Sequence, residues 1–115
     1  TAGIRTDTAA TLGTGIDTTA SASFGGQAYL QVFAPFTGTD ATVKIQDSAD
    51  NVTFADVAGF AFTQITAAPT AERIALGNTA TLRRYLRATT VTTGGFTALS
   101  FAVNVVKNEV AGVVF

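Results

Sequence analysis

Apolar and polar residues alternate through the middle of the chain, from Ala41 to Val57. Val43 and Ile45 fall on one side of an extended backbone, Lys44 and Gln46 on the other. The polar run Asp47 to Asn51 then reverses the chain, and Phe54 and Val57 resume apolar spacing beyond it, which predicts a β-hairpin. The period of two recurs from Phe96 to Lys107, where Leu99, Phe101, Val103 and Val105 share a face against Ser100, Ala102 and Asn104. Gln27 to Phe36 carries β-formers on both faces, and Pro35 is placed to end that strand or bend it at an edge. Phe60 to Ile65, Glu72 to Leu76 and Thr81 to Thr90 read as further strands. Between them lie turn signals at Thr37 to Asp40, Ala67 to Thr70, Gly77-Asn78 and Gly94-Gly95.

Residues 1–23 form a lead-in segment rich in Thr, Ala and Gly, with Ile4, Leu12 and Ile16 as isolated anchors. One or two short edge strands are expected there, closed by Gly25-Gly26. No stretch combines helical periodicity with caps. About eight strands at turn spacings of roughly 8–12 residues predict an all-β domain without substantial helix, a two-sheet antiparallel β-sandwich of jelly-roll type. It spans residues 1–115 as one domain and ends in an apolar tail at 108–115. Leu30, Val32, Val43, Ile45, Leu86, Phe101 and Val103 are the expected core, with Gly25, Gly77 and Gly94 at turns.

Composition adds a constraint on the surface. Charged residues make up 13% of the chain, about half the usual share. Threonine supplies much of the remaining polarity, being β-branched yet wettable. A formal net charge of −1 gives no electrostatic reason to approach nucleic acid or an anionic membrane. The apolar runs are broken by Thr and Gly, which excludes a spanning helix. A weakly charged surface suits a protein packed among copies or partners.

Candidate chemistry is sparse. The sequence has no histidine and no cysteine, so the usual general base, thiol nucleophile and zinc ligands are missing. Eight carboxylates remain: Asp7, Asp17, Asp40, Asp47, Asp50, Asp56, Glu72 and Glu109. Two facing each other across a cleft could run a glycosidase, but most lie in turn contexts, where Asp bonds its own backbone. The expectation is a protein that is not an enzyme and carries no cofactor and no metal. The oxygen-rich Asp47-Ser48-Ala49-Asp50-Asn51 loop lacks the alternating ligand spacing and distal Glu of an EF-hand, so a turn held by Asx bonds is the favoured reading. Asn51-Val52-Thr53 matches a glycosylation sequon. Arg83-Arg84-Tyr85-Leu86-Arg87 is too small a cluster for a phosphate footprint. Its arginines are expected to cover the sheet and pair with Asp or Glu. Nine Phe and no Trp read as core rather than as a sugar platform.

Exposed loops supply the remaining candidate contacts: Asp47, Ser48, Asp50 and Asn51 in one, Gly94 and Gly95 in the other. Val113, Val114 and Phe115 in the apolar tail are candidates to dock on a partner.

Four segments carry a resemblance: residues 1–8, Ala28 to Val32, Val43 to Asn51, and Arg83 to Arg87. Together they resemble a domain of virion proteins from long-tailed bacteriophages of actinobacteria, including tail-tube subunits, where it follows the tube-forming domain. The resemblance covers nearly the whole chain and implies a C-terminal module of a longer virion protein, ending at Phe115 and tethered through residues 1–8. It implies a non-enzymatic decoration of the tail tube, assembled in the host cytoplasm and exposed on the particle. Its partners would be other virion subunits in a repeated, homo-oligomeric array, with host-surface glycans as a further class. A capsid decoration or cement protein, or a carbohydrate-binding module for host adhesion, are the alternatives. More distantly, Ser48, Asp50 and Phe54 followed by the Arg-Tyr-Leu-Arg strand are similar to discoidin-like, galactose-binding jelly rolls.

Overall fold

Alternation of short polar and branched apolar side chains favours the pleated strand, half-buried on one face, along much of this chain. The computed structural model describes residues 5–23, 25–76 and 80–107, with the side chains of Ala34 and Pro35 left aside. Among them the chain is all-β and forms eight strands: β1 (Arg5–Asp7), β2 (Ile16–Asp17), β3 (Gly26–Gly38), β4 (Thr42–Ser48), β5 (Ala55–Ala61), β6 (Thr70–Ala75), β7 (Tyr85–Val91) and β8 (Phe96–Lys107). They make two antiparallel four-stranded sheets, ordered β1-β8-β3-β6 and β2-β7-β4-β5. The neighbours β4/β5, β3/β6, β2/β7 and β1/β8 are the rungs of one long hairpin doubled back at its midpoint. Rolling that hairpin until β3 meets β8 and β4 meets β7 closes the jelly roll.

The inner faces of the two sheets supply the core. Val43, Ile45, Leu30, Val32, Leu86, Leu99 and Phe101 are buried, as are Phe60, Phe62 and Phe96, while Val103 packs half-buried against them. The predicted bounds of β8 match the observed strand. The lead-in segment holds two edge strands, one in each sheet.

Elsewhere the structure corrects the reading. Leu12 and Ile16 are not anchors but stand 61% and 56% exposed, Leu12 in the connection from β1 to β2 and Ile16 in the two-residue edge strand β2, both of whose residues are exposed. Pro35 does not end its strand. β3 continues to Gly38, and its pairing with β8 is interrupted between Phe33 and Thr37, where a residue without an N–H costs the ladder least. The strand expected at 60–65 belongs to β5, which ends at Ala61, with an isolated bridge from Ile65 to Ala41. The strand expected from Thr81 begins at Tyr85, preceded by a bridge from Leu82 to Ala22. Gly77-Asn78, Ile4, Phe24, Glu109 and the tail with Val113, Val114 and Phe115 lie outside the described residues.

Strand direction sorts the connections. The loops after β2, β4 and β6 lie at the end where β8 finishes, and those after β1, β3, β5 and β7 at the other end.

Candidate functional site

The Asp47–Asn51 loop is a turn whose polar groups satisfy one another. Ser48 is buried, and its hydroxyl oxygen accepts the Asp50 and Asn51 amides at 3.1 and 3.0 Å while donating to Asp50 Oδ1 at 2.9 Å. Asp50 Oδ1 also accepts the amides of Val52 and Thr53 at 2.9 and 3.0 Å. Those two amides, Thr53 first, and the Ser48 hydroxyl hold the Asp50 carboxyl down at about 2. Asn51 turns the chain with φ of 62°, a conformation its short polar side chain tolerates. Asp47 points inward and is spent on Arg83, whose Nε and Nη2 donate to Oδ1 at 3.0 and 2.8 Å and whose amide donates to Oδ2. That hydrogen bond raises the Arg83 guanidinium above its ordinary value.

Gly94 and Gly95 sit in the connection from β7 to β8, clamped on Asp40. Asp40 is buried and accepts the Thr93 and Gly94 amides at 2.8 and 2.9 Å, together with the Thr92 and Thr93 hydroxyls. The Thr93 amide leads in holding this carboxyl down at about 2. The two candidate loops do not converge. One follows Ser48 and the other lies beside Thr42, at opposite ends of the seven-residue β4, so roughly 20 Å of strand separates them.

The other carboxylates are engaged in the same way. Asp7 is buried and receives Arg5 Nε and Nη2 at 2.8 Å each and the Thr90 hydroxyl at 2.7 Å, tying β1 to β7 of the opposite sheet. Burial pushes its carboxyl up, but the Arg5 and Thr90 bonds and the Arg5 charge outweigh that and lower it. Asp17 takes Arg84 through two bonds of 2.7 Å and the Thr19 amide, and Arg84 holds it at about 2. Asp56 accepts from Gln46 at 2.7 Å and faces Lys44 at 3.6 Å, and Glu72 accepts the Thr63 amide and hydroxyl. The arginine cluster therefore does what its spacing suggested: Arg83 and Arg84 pair with Asp, and Arg87 lies over the Phe54 ring at 4.1 Å and donates to Gln46. Among the described residues no group of three or more acidic side chains is placed to hold a metal ion, and no helix is long and apolar enough to cross a membrane.

The outer face of the first sheet holds a row of side chains that no single stretch of the sequence displays. Register sets Asn104, Tyr29 and Arg73 in one row across β8, β3 and β6, with Ala102, Gln31 and Ala71 in the next. Tyr29 is 41% exposed. The available signal was the alternation of Gln27, Tyr29 and Gln31 against Ala28, Leu30 and Val32, which puts a polar, aromatic stripe outside. Compared with known proteins, the chain matches no protein-family model and no curated protein. What fold and site define together is a jelly-roll domain whose charged side chains tie its own turns and sheets.

Proposed function

We propose that this domain is a non-enzymatic structural module of a bacteriophage virion, a decoration projecting from the tail tube. The observation that carries the reading is how its acids are used. All seven described carboxylates (the eight of the sequence less Glu109) hold turns, strands or arginines within the fold, so the polar side chains serve rigidity rather than turnover. The four-segment resemblance to tail proteins supplies the particle. Strand direction supports projection: β1 runs away from, and β8 towards, the end that carries the 49–54 loop. A chain continued in either direction would leave from that end, and the opposite end carries the connection with Gly94 and Gly95. Repetition around a tube would turn weak contacts into avidity. A capsid decoration is the second reading, favoured by the doubled-hairpin architecture, which recurs in viral capsid domains.

Gold labelling of intact particles with an antibody to this domain tests both. Regular label along the tail is the expected result, and label on the head selects the capsid reading. Purified particles whose proteins, identified by mass spectrometry, do not include this polypeptide would overturn both.

A further inference from the structure

From the outer face of the first sheet we infer that this domain carries a shallow binding site for a neutral oligosaccharide, with Tyr29 as its stacking ring. On this face a tall row, Asn104, Tyr29 and Arg73, stands beside a low one in which Ala102 and Ala71 flank Gln31. The difference in side-chain height leaves a hollow of about 420 Å³, within the range of small-ligand sites. Strands lie about 4.8 Å apart, so the tall row spans roughly 10 Å across β8, β3 and β6, the length of two linked pyranose rings.

The site is fixed before anything binds. Gln27 lies on the same outer face, yet is only 5% exposed. Its Oε1 accepts the Tyr29 hydroxyl at 2.6 Å and Arg73 Nε at 3.1 Å. One buried amide thus locks an aromatic ring and a guanidinium side by side, and the ordering cost of both is met in folding instead of in binding. The chemistry selects the ligand class. A tyrosine ring offers a flat apolar face to sugar C–H groups, the Asn104 amide offers donors and an acceptor to hydroxyls, and Gln31, whose Nε2 donates to the Val32 and Thr70 carbonyls at 3.3 and 3.4 Å, offers its Oε1 as a further acceptor. Among the lining residues Arg73 is the one cation and its Nε is already given to Gln27, while the Glu72 carboxylate is turned to Thr63, and a single engaged guanidinium does not make an anion site. Of the two tyrosines in the sequence, Tyr85 is half-buried with Arg84 over its ring at 5.2 Å, which leaves Tyr29 as the available one. One ring on an open surface sets a dissociation constant on the order of 0.1–1 mM for a single domain.

The test is a titration of the isotopically labelled 115-residue chain, followed by amide NMR shifts. The probes are hexasaccharides of glucose, mannose, galactose and N-acetylglucosamine, each to about 10 mM, well above that constant. Saturable shifts are expected with at least one of them, centred on Tyr29, Ala102 and Asn104. Tyr29→Ala should weaken binding about tenfold or more, the share of one stacked ring. Tyr29→Phe keeps the ring and should keep most of the affinity, and an amide spectrum of the alanine variant that matches the parent away from the site shows that it is folded. Asn104→Ala should weaken binding without moving the melting temperature, and Val52→Ser, in the distant 49–54 loop, should leave it unchanged. Shifts centred on Asp47–Asn51 or Gly94–Gly95, affinity indifferent to Tyr29→Ala and Asn104→Ala, or no saturable shift with any probe would each overturn the site. None of these outcomes depends on where the domain sits in a particle, so this inference and the virion reading fail separately.

Discussion

Phe101 is 1% exposed at the centre of β8, and the Arg5 guanidinium lies 5.1 Å above its ring. Its side chain therefore fills the core and also supports the clasp of Arg5 and Asp7. Phe101→Ala should cost about 3–5 kcal/mol in chemical denaturation, the transfer loss plus an unfilled cavity. A loss below about 1 kcal/mol would show the site collapsing around the deletion. Thr89 presents the opposite case. It is 1% exposed beside Lys44, and its hydroxyl has no hydrogen-bond partner. Thr89→Val keeps the branched shape and removes the unmet polar group, so a gain of about 1 kcal/mol is expected in the same assay. A loss there would mean that the hydroxyl finds a partner in solution.

At the scale of elements, what was legible depended on whether a strand's partners reinforced its own pattern. β8 could be read to the residue because its inner row of Leu99, Phe101, Val103 and Val105 is unbroken and β3 pairs along nearly its whole length. β5 could not. Between the pairs Gln46 to Asp56 and Lys44 to Ala61 it carries extra residues, and Gly59 at φ of 86° absorbs them and turns Phe60 into the core. No two-residue period survives such a bulge. The candidate loops were legible as turns, since Asp and Ser announce their own backbone bonds, but their placement at opposite ends depends on strand order. The Tyr29 row was harder still, because it gathers residues from three strands far apart in sequence. Glycine at the β7–β8 connection gives a paired prediction. Gly95 has φ of 94° with nothing within 4 Å of an added Cβ, so Gly95→Ala should cost only backbone strain, about 1 kcal/mol. Gly38 has φ of 152°, and a Cβ there would run into the backbone of Phe96, so Gly38→Ala should cost more, about 3 kcal/mol. Equal melting temperatures for the two variants would refute the distinction.

For the whole molecule, the sheets are joined at opposite edges by carboxylates as well as by the core. Asp7 on β1 reaches Thr90 on β7, and Glu72 on β6 holds Thr63 just beyond β5. Stability should therefore follow the ionisation of acids. The sequence has no histidine or cysteine, so no side chain of the kind that ordinarily changes charge near neutrality is present. Asp17, Asp40 and Asp50 stand at about 2 in the folded protein against 3.8 ordinarily, and Asp7 is lowered as well. A carboxyl depressed on folding contributes fully above its unfolded value, and the contribution disappears as pH falls through the folded one. The melting temperature should accordingly be flat from about pH 5 to 8 and fall between about pH 4 and 2. Asp40→Asn and Asp50→Asn each remove one of the depressed acids. Both variants should melt lower at pH 7 and lose less than the parent on acidification, because part of the loss has already been taken. A transition centred near pH 6, or an acid limb unchanged in both variants, would mean that other groups hold the sandwich closed.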